Sequence, residues 1–127
     1  MVPNTTWSWI WRLQITEYLR HFCWLVMHGS LPTNSFKASR HLTSNTSCHR
    51  CGAVVESDLH NLRDCPRAMS IWKYVYPTIP NNFYMLDCQL WFKHHATMEA
   101  GTKFIVTCFE IWRNRNEHIF QNTQKDT

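Results

Sequence analysis

The residues best suited to chemistry fall in one stretch, CHRCGAVVESDLHNLRDC at positions 48 to 65, which holds three cysteines and two histidines. A structural zinc ion asks for four soft or borderline ligands at tetrahedral corners, about 2.3 Å away for sulfur and about 2.1 Å for imidazole nitrogen. Cys48 and Cys51 form a CxxC pair, in which one tight turn aims two thiolates at a common centre, and Gly52 supplies the permissive backbone that such a turn needs. His60 and Cys65 offer the second pair, with the imidazole presented by a short helical turn around residues 57 to 62. The pattern C-x2-C-x8-H-x4-C thus describes a Cys3His site for one structural Zn2+, with no coordination position left for water or substrate.

His49 lies between the first two cysteines and should point away from a metal held by its neighbours. Glu56 stands one helical turn before His60, where its carboxylate either accepts the second imidazole N–H and fixes the tautomer or stands exposed in solvent. Two other chemistries compete for the same cysteines. A disulfide framework suits the even count of six but asks for an oxidising compartment. A thioredoxin-like CxxC asks for a strand and helix on either side, and the alternating segment here lies far upstream. Cys23 and Cys108 sit on apolar faces and read as small buried hydrophobes, which leaves Cys88, next to Asp87, as the substitute ligand to consider.

Catalysis finds little support. The nine acids are scattered, and only Glu56, Asp58 and Asp64 lie close together, inside the zinc segment, so metal-assisted phosphoryl chemistry lacks its converging carboxylates. With no P-loop and no GxSxG either, the expectation is a non-catalytic protein without a small-molecule substrate. Thirteen Lys and Arg give a formal net charge of +4, spread from Arg12 to Lys125 with no run of three. Such a balance permits affinity for phosphates without demanding it.

The elements that must position these groups are mostly helical. Leu19, Phe22, Cys23 and Val26 recur at three- and four-residue steps between a Thr16 N-cap and Gly29, which predicts an amphipathic helix. Thr33 caps a shorter helix through about Arg40, with Phe36 inward and Lys37 and Arg40 outward. After Cys65, Pro66 opens a third helix whose Met69, Trp72 and Val75 or Tyr76 share a face. Upstream, Trp7, Trp9, Trp11, Leu13 and Ile15 recur at every second position, with Ser8, Arg12 and Gln14 among the residues opposite, so 7 to 15 reads as an extended segment laid on the core or, alternatively, a tryptophan platform for stacking bases. Residues 77 to 96 read as an irregular connector, 97 to 121 as a long helix with Phe104, Cys108, Ile111 or Trp112 and Ile119 along its stripe, and 122 to 127 as a frayed tail.

The fold class expected is therefore mainly α, a small helical domain organised around a Cys3His zinc knuckle, with a short N-terminal extended segment and a long C-terminal helix. Forty-four per cent apolar residues, with seven tryptophans and seven phenylalanines, provide for a core. MVPNTTWSWIWRLQI shows no basic region followed by an apolar stretch and cleavage site, and no apolar run approaches the roughly 20 residues that span a bilayer. The expected setting is intracellular, nucleus or cytoplasm rather than secreted, with no membrane partner.

IW at 10 to 11, HFCW at 21 to 24, LPT at 31 to 33, Arg40, Cys48, Cys51-Gly52, Glu56-Ser57, His60, Cys65 and IW at 71 to 72 together resemble the zinc-binding domain that follows reverse transcriptase in plant LINE-type (non-LTR) retrotransposons, found in ribonuclease H polyproteins. The resemblance assigns residues 1–76 to that domain and implies Cys48, Cys51, His60 and Cys65 as its metal ligands. It departs after His60, where the family commonly has Leu and this chain has Asn61, with Leu62 one step later. EIWRNRNEHIF at 110 to 120 is similar to the segment that links this domain to ribonuclease H. It implies a retroelement fragment whose ancestral role was to help hold template RNA or target DNA, through Lys37, Arg40, Arg50, Arg63 and Arg67, beside reverse transcriptase or ribonuclease H domains. The rival readings are a zinc-stabilised interaction or scaffold module and a non-functional retroelement copy.

Overall fold

A computed structural model of the chain describes residues 5–125, with side chains from 7 to 120. Among these, six α-helices and one π-turn are present and no strand: α1 (Thr5–Arg12), α2 (Glu17–Met27), α3 (Asn34–Ser39), the π-turn (His60–Asp64), α4 (Pro66–Val75), α5 (Cys88–Ala96) and α6 (Gly101–Lys125). None of the described helices is long and apolar enough to cross a membrane.

Local sequence explains where the helices begin and end. Thr33 Oγ1 accepts the Phe36 N–H at 3.2 Å and starts α3. Past the end of α2, the Gly29 and Ser30 amides donate back to the carbonyls of Val26 and Leu25 at 3.0 and 2.9 Å, which satisfies two orphaned acceptors. Leu19, Phe22, Cys23 and Val26 are buried, as their spacing predicts.

Three expectations need correction. Residues 5–12 form helix α1 rather than an extended segment, and only 13–16 lack helical structure. Trp9 and Ile10, adjacent in sequence, are both buried while Trp11 is 65% exposed, a helical rather than an alternating pattern. Arg20 holds the connection to α2 by donating to the carbonyls of Ile10, Leu13 and Ile15. The connector 77 to 96 is likewise not irregular throughout, because Asp87 caps α5 by accepting the Leu90 N–H at 2.9 Å. Cys88, Trp91, Phe92, His95 and Ala96 bury one face of that helix. Finally, residues 97–100 form a turn, and α6 starts at Gly101 and continues to Lys125, through most of the expected frayed tail; 126 and 127 lie outside the described residues.

α6 is the spine. It packs on α2, α4, α5 and the π-turn, while α1 packs on α2. Phe104, Ile105, Cys108, Ile111 and Trp112 of α6 are buried. Trp72 of α4 stacks on Phe104 at 5.2 Å and meets Trp91 of α5 edge-on at 6.1 Å. Its indole N–H donates to the Leu62 carbonyl in the π-turn at 2.7 Å, so the aromatic core reaches directly into the cysteine and histidine segment.

Candidate metal centre

The four candidate ligands arrive from two tight local structures. Around Cys48 and Cys51 the chain folds back, with the Cys48 N–H donating to the Ala53 carbonyl at 2.9 Å and the Gly52 N–H to the Cys48 carbonyl at 2.8 Å. Gly52 takes φ +80°, a conformation that strains any residue with a Cβ. His60 opens the π-turn with its N–H bonded to Ser57 Oγ at 3.0 Å. Cys65 closes it, donating its N–H to the His60 carbonyl at 2.8 Å, and Pro66 then begins α4.

The ligand atoms of Cys48, Cys51, His60 and Cys65 all lie within 4.8 Å of one another. Cys48 Sγ is 3.9 Å from Cys65 Sγ, and Cys51 Sγ is 3.4 Å from His60 Nε2. Bonds of the lengths zinc prefers make tetrahedral edges of about 3.8 Å between sulfurs and about 3.6 Å between sulfur and nitrogen. Both separations therefore fit a single ion at the centre. All six cysteines are free.

Local electrostatics favours ligation at Cys48 and His60 and opposes it at Cys65. Burial opposes ionisation of Cys48, but the amides of Arg50 and Cys51 and the neighbouring thiols outweigh it and hold this thiol below its ordinary value. Burial pushes the Cys65 thiol up in spite of the Arg67 amide and the Arg50 charge, and it holds His60 below the usual imidazole value against the pull of Glu56. A neutral imidazole and an easily formed thiolate are what zinc ligation requires.

Residues near the cluster fall differently from expectation in two cases. Glu56 neither bonds to His60 nor stands in solvent. It is fully buried, and its carboxylate accepts from the Asn34 amide, Asn61 Nδ2 and, twice, the Arg115 guanidinium. Arg63 is buried too and unavailable to phosphate, since its guanidinium pairs with Asp64 at 2.6 Å and donates to the carbonyls of Phe83 and Met85. His49 is exposed and stands apart from the ligand set. Cys88 is buried in α5, where burial and then the Asp58 charge push its thiol up. Burial also raises Cys23, to about 12, and Cys108.

Of the remaining cations, Arg40 is exposed on the C-terminal side of α3, with its guanidinium 5.1 Å over the Phe36 ring, and Lys37 is half-buried. Arg50 donates to the Asn61 carbonyl at 3.0 Å, and its buried Nε has no partner among the described residues. Arg67 is exposed. Arg50 and Arg67 line one groove of ≈ 500 Å³ with Ser70, Ile71, Asn114, Glu117 and His118, between α4 and α6 and beside the cysteines.

Sequence reasoning missed Asn34, Asn61 and Arg115 as supports of this region. Arg115 carried a usable signal: it continues the Cys108, Ile111 and Trp112 stripe of α6, and a cation on a buried face needs a buried acid.

Comparison with known proteins bears on what this centre is. The family described as zinc-binding in reverse transcriptase matches residues 2–72, more than half of the chain and all four ligand candidates. The chain belongs to that family. An Arabidopsis thaliana protein named as a ribonuclease H protein is 38% identical over 124 residues, covering 91% of this chain. The chain spans 20% of the length of that relative. No solved structure matches the chain. Among its described residues this reverse transcriptase zinc-binding domain thus carries one Cys3His cluster able to hold a single zinc ion.

Proposed function

We propose that the chain is a non-catalytic domain that Cys48, Cys51, His60 and Cys65 organise around one Zn2+, and that it helps a reverse transcriptase polyprotein hold nucleic acid. Family membership supports the setting. The groove shared by Arg50 and Arg67 carries the nucleic-acid part: it sets two cations, one with an unpaired buried donor, within a single depression beside the metal cluster. Lys37 of α3 and Arg40 just past its end are further candidate contacts; Arg63 is not. The domain would act in the nucleus or cytoplasm, next to the polymerase or ribonuclease H parts of its parent chain.

The experiment is a titration of the zinc-loaded chain with single-stranded RNA and with duplex DNA at two salt concentrations. Phosphate contacts make affinity fall with salt on a log–log slope near the number of contacts, and Arg67→Ala should lower that slope by about 1. Absence of binding at low salt rejects the reading.

A protein-docking module is the second reading, and exposed Trp11, Leu86 and Leu90 favour it. Its association with a polyprotein domain would respond little to salt and would weaken in Trp11→Ala.

A further inference from the structure

Glu56 gathers donors from three parts of the chain onto one buried carboxylate. Oε1 accepts the Asn34 N–H at 2.8 Å and one arm of the Arg115 guanidinium at 2.6 Å. Oε2 accepts Arg115 Nε and Asn61 Nδ2, each at 3.0 Å. Every connection other than α6 leads on to a candidate ligand. Asn34 donates its own Nδ2 to the carbonyl of Ser47, the residue before Cys48, at 2.6 Å, and Asn61 directly follows His60. The Glu56 N–H meanwhile donates to the Thr46 carbonyl at 2.6 Å.

Among the described residues, α6 contributes the cation that pairs with this carboxylate. Arg115 and Glu56 are both buried, and a forked guanidinium–carboxylate pair fixes orientation as well as distance. Removing the cation leaves an uncompensated charge beneath the loop and the π-turn that carry the ligands. Arg115 lies well beyond the 2–72 stretch that matches the family, so the ligand spacing does not by itself complete the support of this centre.

We propose that Arg115 is a positioning residue for the metal centre: through Glu56 it holds the backbone beside Cys48 and His60, so that metal binding and docking of the second half of α6 are one coupled event. Coupling of this kind is reciprocal, so bound metal favours docked α6 and docked α6 favours bound metal. The second half of α6 would then report whether the metal is in place. This rests on the zinc reading of the cluster and can fail separately from it. A wild-type chain that takes up no zinc defeats that reading, whereas a zinc-replete chain indifferent to Arg115 defeats only this one.

The test uses the full chain, with zinc affinity read by competition against a chromophoric chelator and site geometry read from the visible spectrum of the Co2+ form. Arg115→Met should weaken zinc by roughly tenfold or more, the scale on which outer supports of metal ligands act, and should alter the Co2+ band. Ile105→Ala, buried in the same helix but without a part in the Glu56 cluster, should lower thermal stability and leave both readouts unchanged. If Arg115→Met does not fold, Glu56→Gln combined with Arg115→Met removes both charges together and should fold while still binding zinc more weakly. Wild-type zinc affinity in the folded single or double variant, or an equal loss in Ile105→Ala, overturns the proposal.

Discussion

Glu56 shows how far a residue's role departs from its local context. By sequence it stands one helical turn from His60, yet its carboxylate turns to Arg115, 59 positions away. Burial alone would raise its pKa, but the Arg115 hydrogen bonds, the Asn34 amide and Asn61 hold it below the ordinary 4.5. A folded pKa below the unfolded one means that this carboxylate stabilises the fold above about pH 4.5 and loses that contribution as the pH falls further. Glu56→Gln should therefore cost about 3–5 kcal/mol near neutrality, by stranding Arg115. The gap from wild type should narrow as both chains are acidified, which denaturant titrations from neutral to acid pH will show. The candidate ligands themselves were legible because the spacing of Cys48, Cys51, His60 and Cys65 is a short-range property. The fate of Arg63 was not, because its acceptors at Phe83 and Met85 come from a distant segment.

At the scale of elements, the expectations that agree with the structure rest on the apolar stripe of α2, the Thr33 cap of α3 and Pro66 at the start of α4, whereas Thr16 precedes α2 without a side-chain capping hydrogen bond. α1 was misread because tryptophans at every second position satisfy an alternating pattern, whereas packing against α2 buries the neighbours Trp9 and Ile10 together. α5 was passed over although Asp87 is a good N-cap and Cys88, Trp91, Phe92 and His95 keep helical spacing; the nearby prolines Pro77 and Pro80 made the whole segment look irregular. The turn between α5 and α6 offers a sharp test. A Cβ built on Gly101 would lie 1.9 Å from the Ala96 carbonyl oxygen, so a backbone group with no freedom to retreat must move. Gly101→Ala should lower stability by about 1–3 kcal/mol, the usual cost of overpacking, although alanine is the better helix former. Thermal unfolding of the two chains decides it, and an unchanged midpoint would show that the turn can relax.

For the whole molecule the consequence is that the zinc segment is not a free-standing unit. α6 covers α2, α4, α5 and the π-turn, and it supplies Phe104, Ile105, Cys108, Ile111 and Trp112 to their core. A chain cut after residue 100 keeps every candidate ligand and the entire family match, yet it should fail to show a cooperative unfolding transition even with zinc in excess. Circular dichroism melts of the cut and full-length chains provide the comparison; a cooperative melt from the shorter one would contradict this account. Sequence alone determined the Cys3His chemistry, the family, and the helices α2, α3 and α4, because ligand spacing, capping and apolar periodicity are each written within a few turns of chain. Tertiary structure decided which charges are available to a partner and what holds the metal segment in place, because a buried ion pair such as Glu56 with Arg115 is settled by which surfaces lose water together, and no local pattern records that.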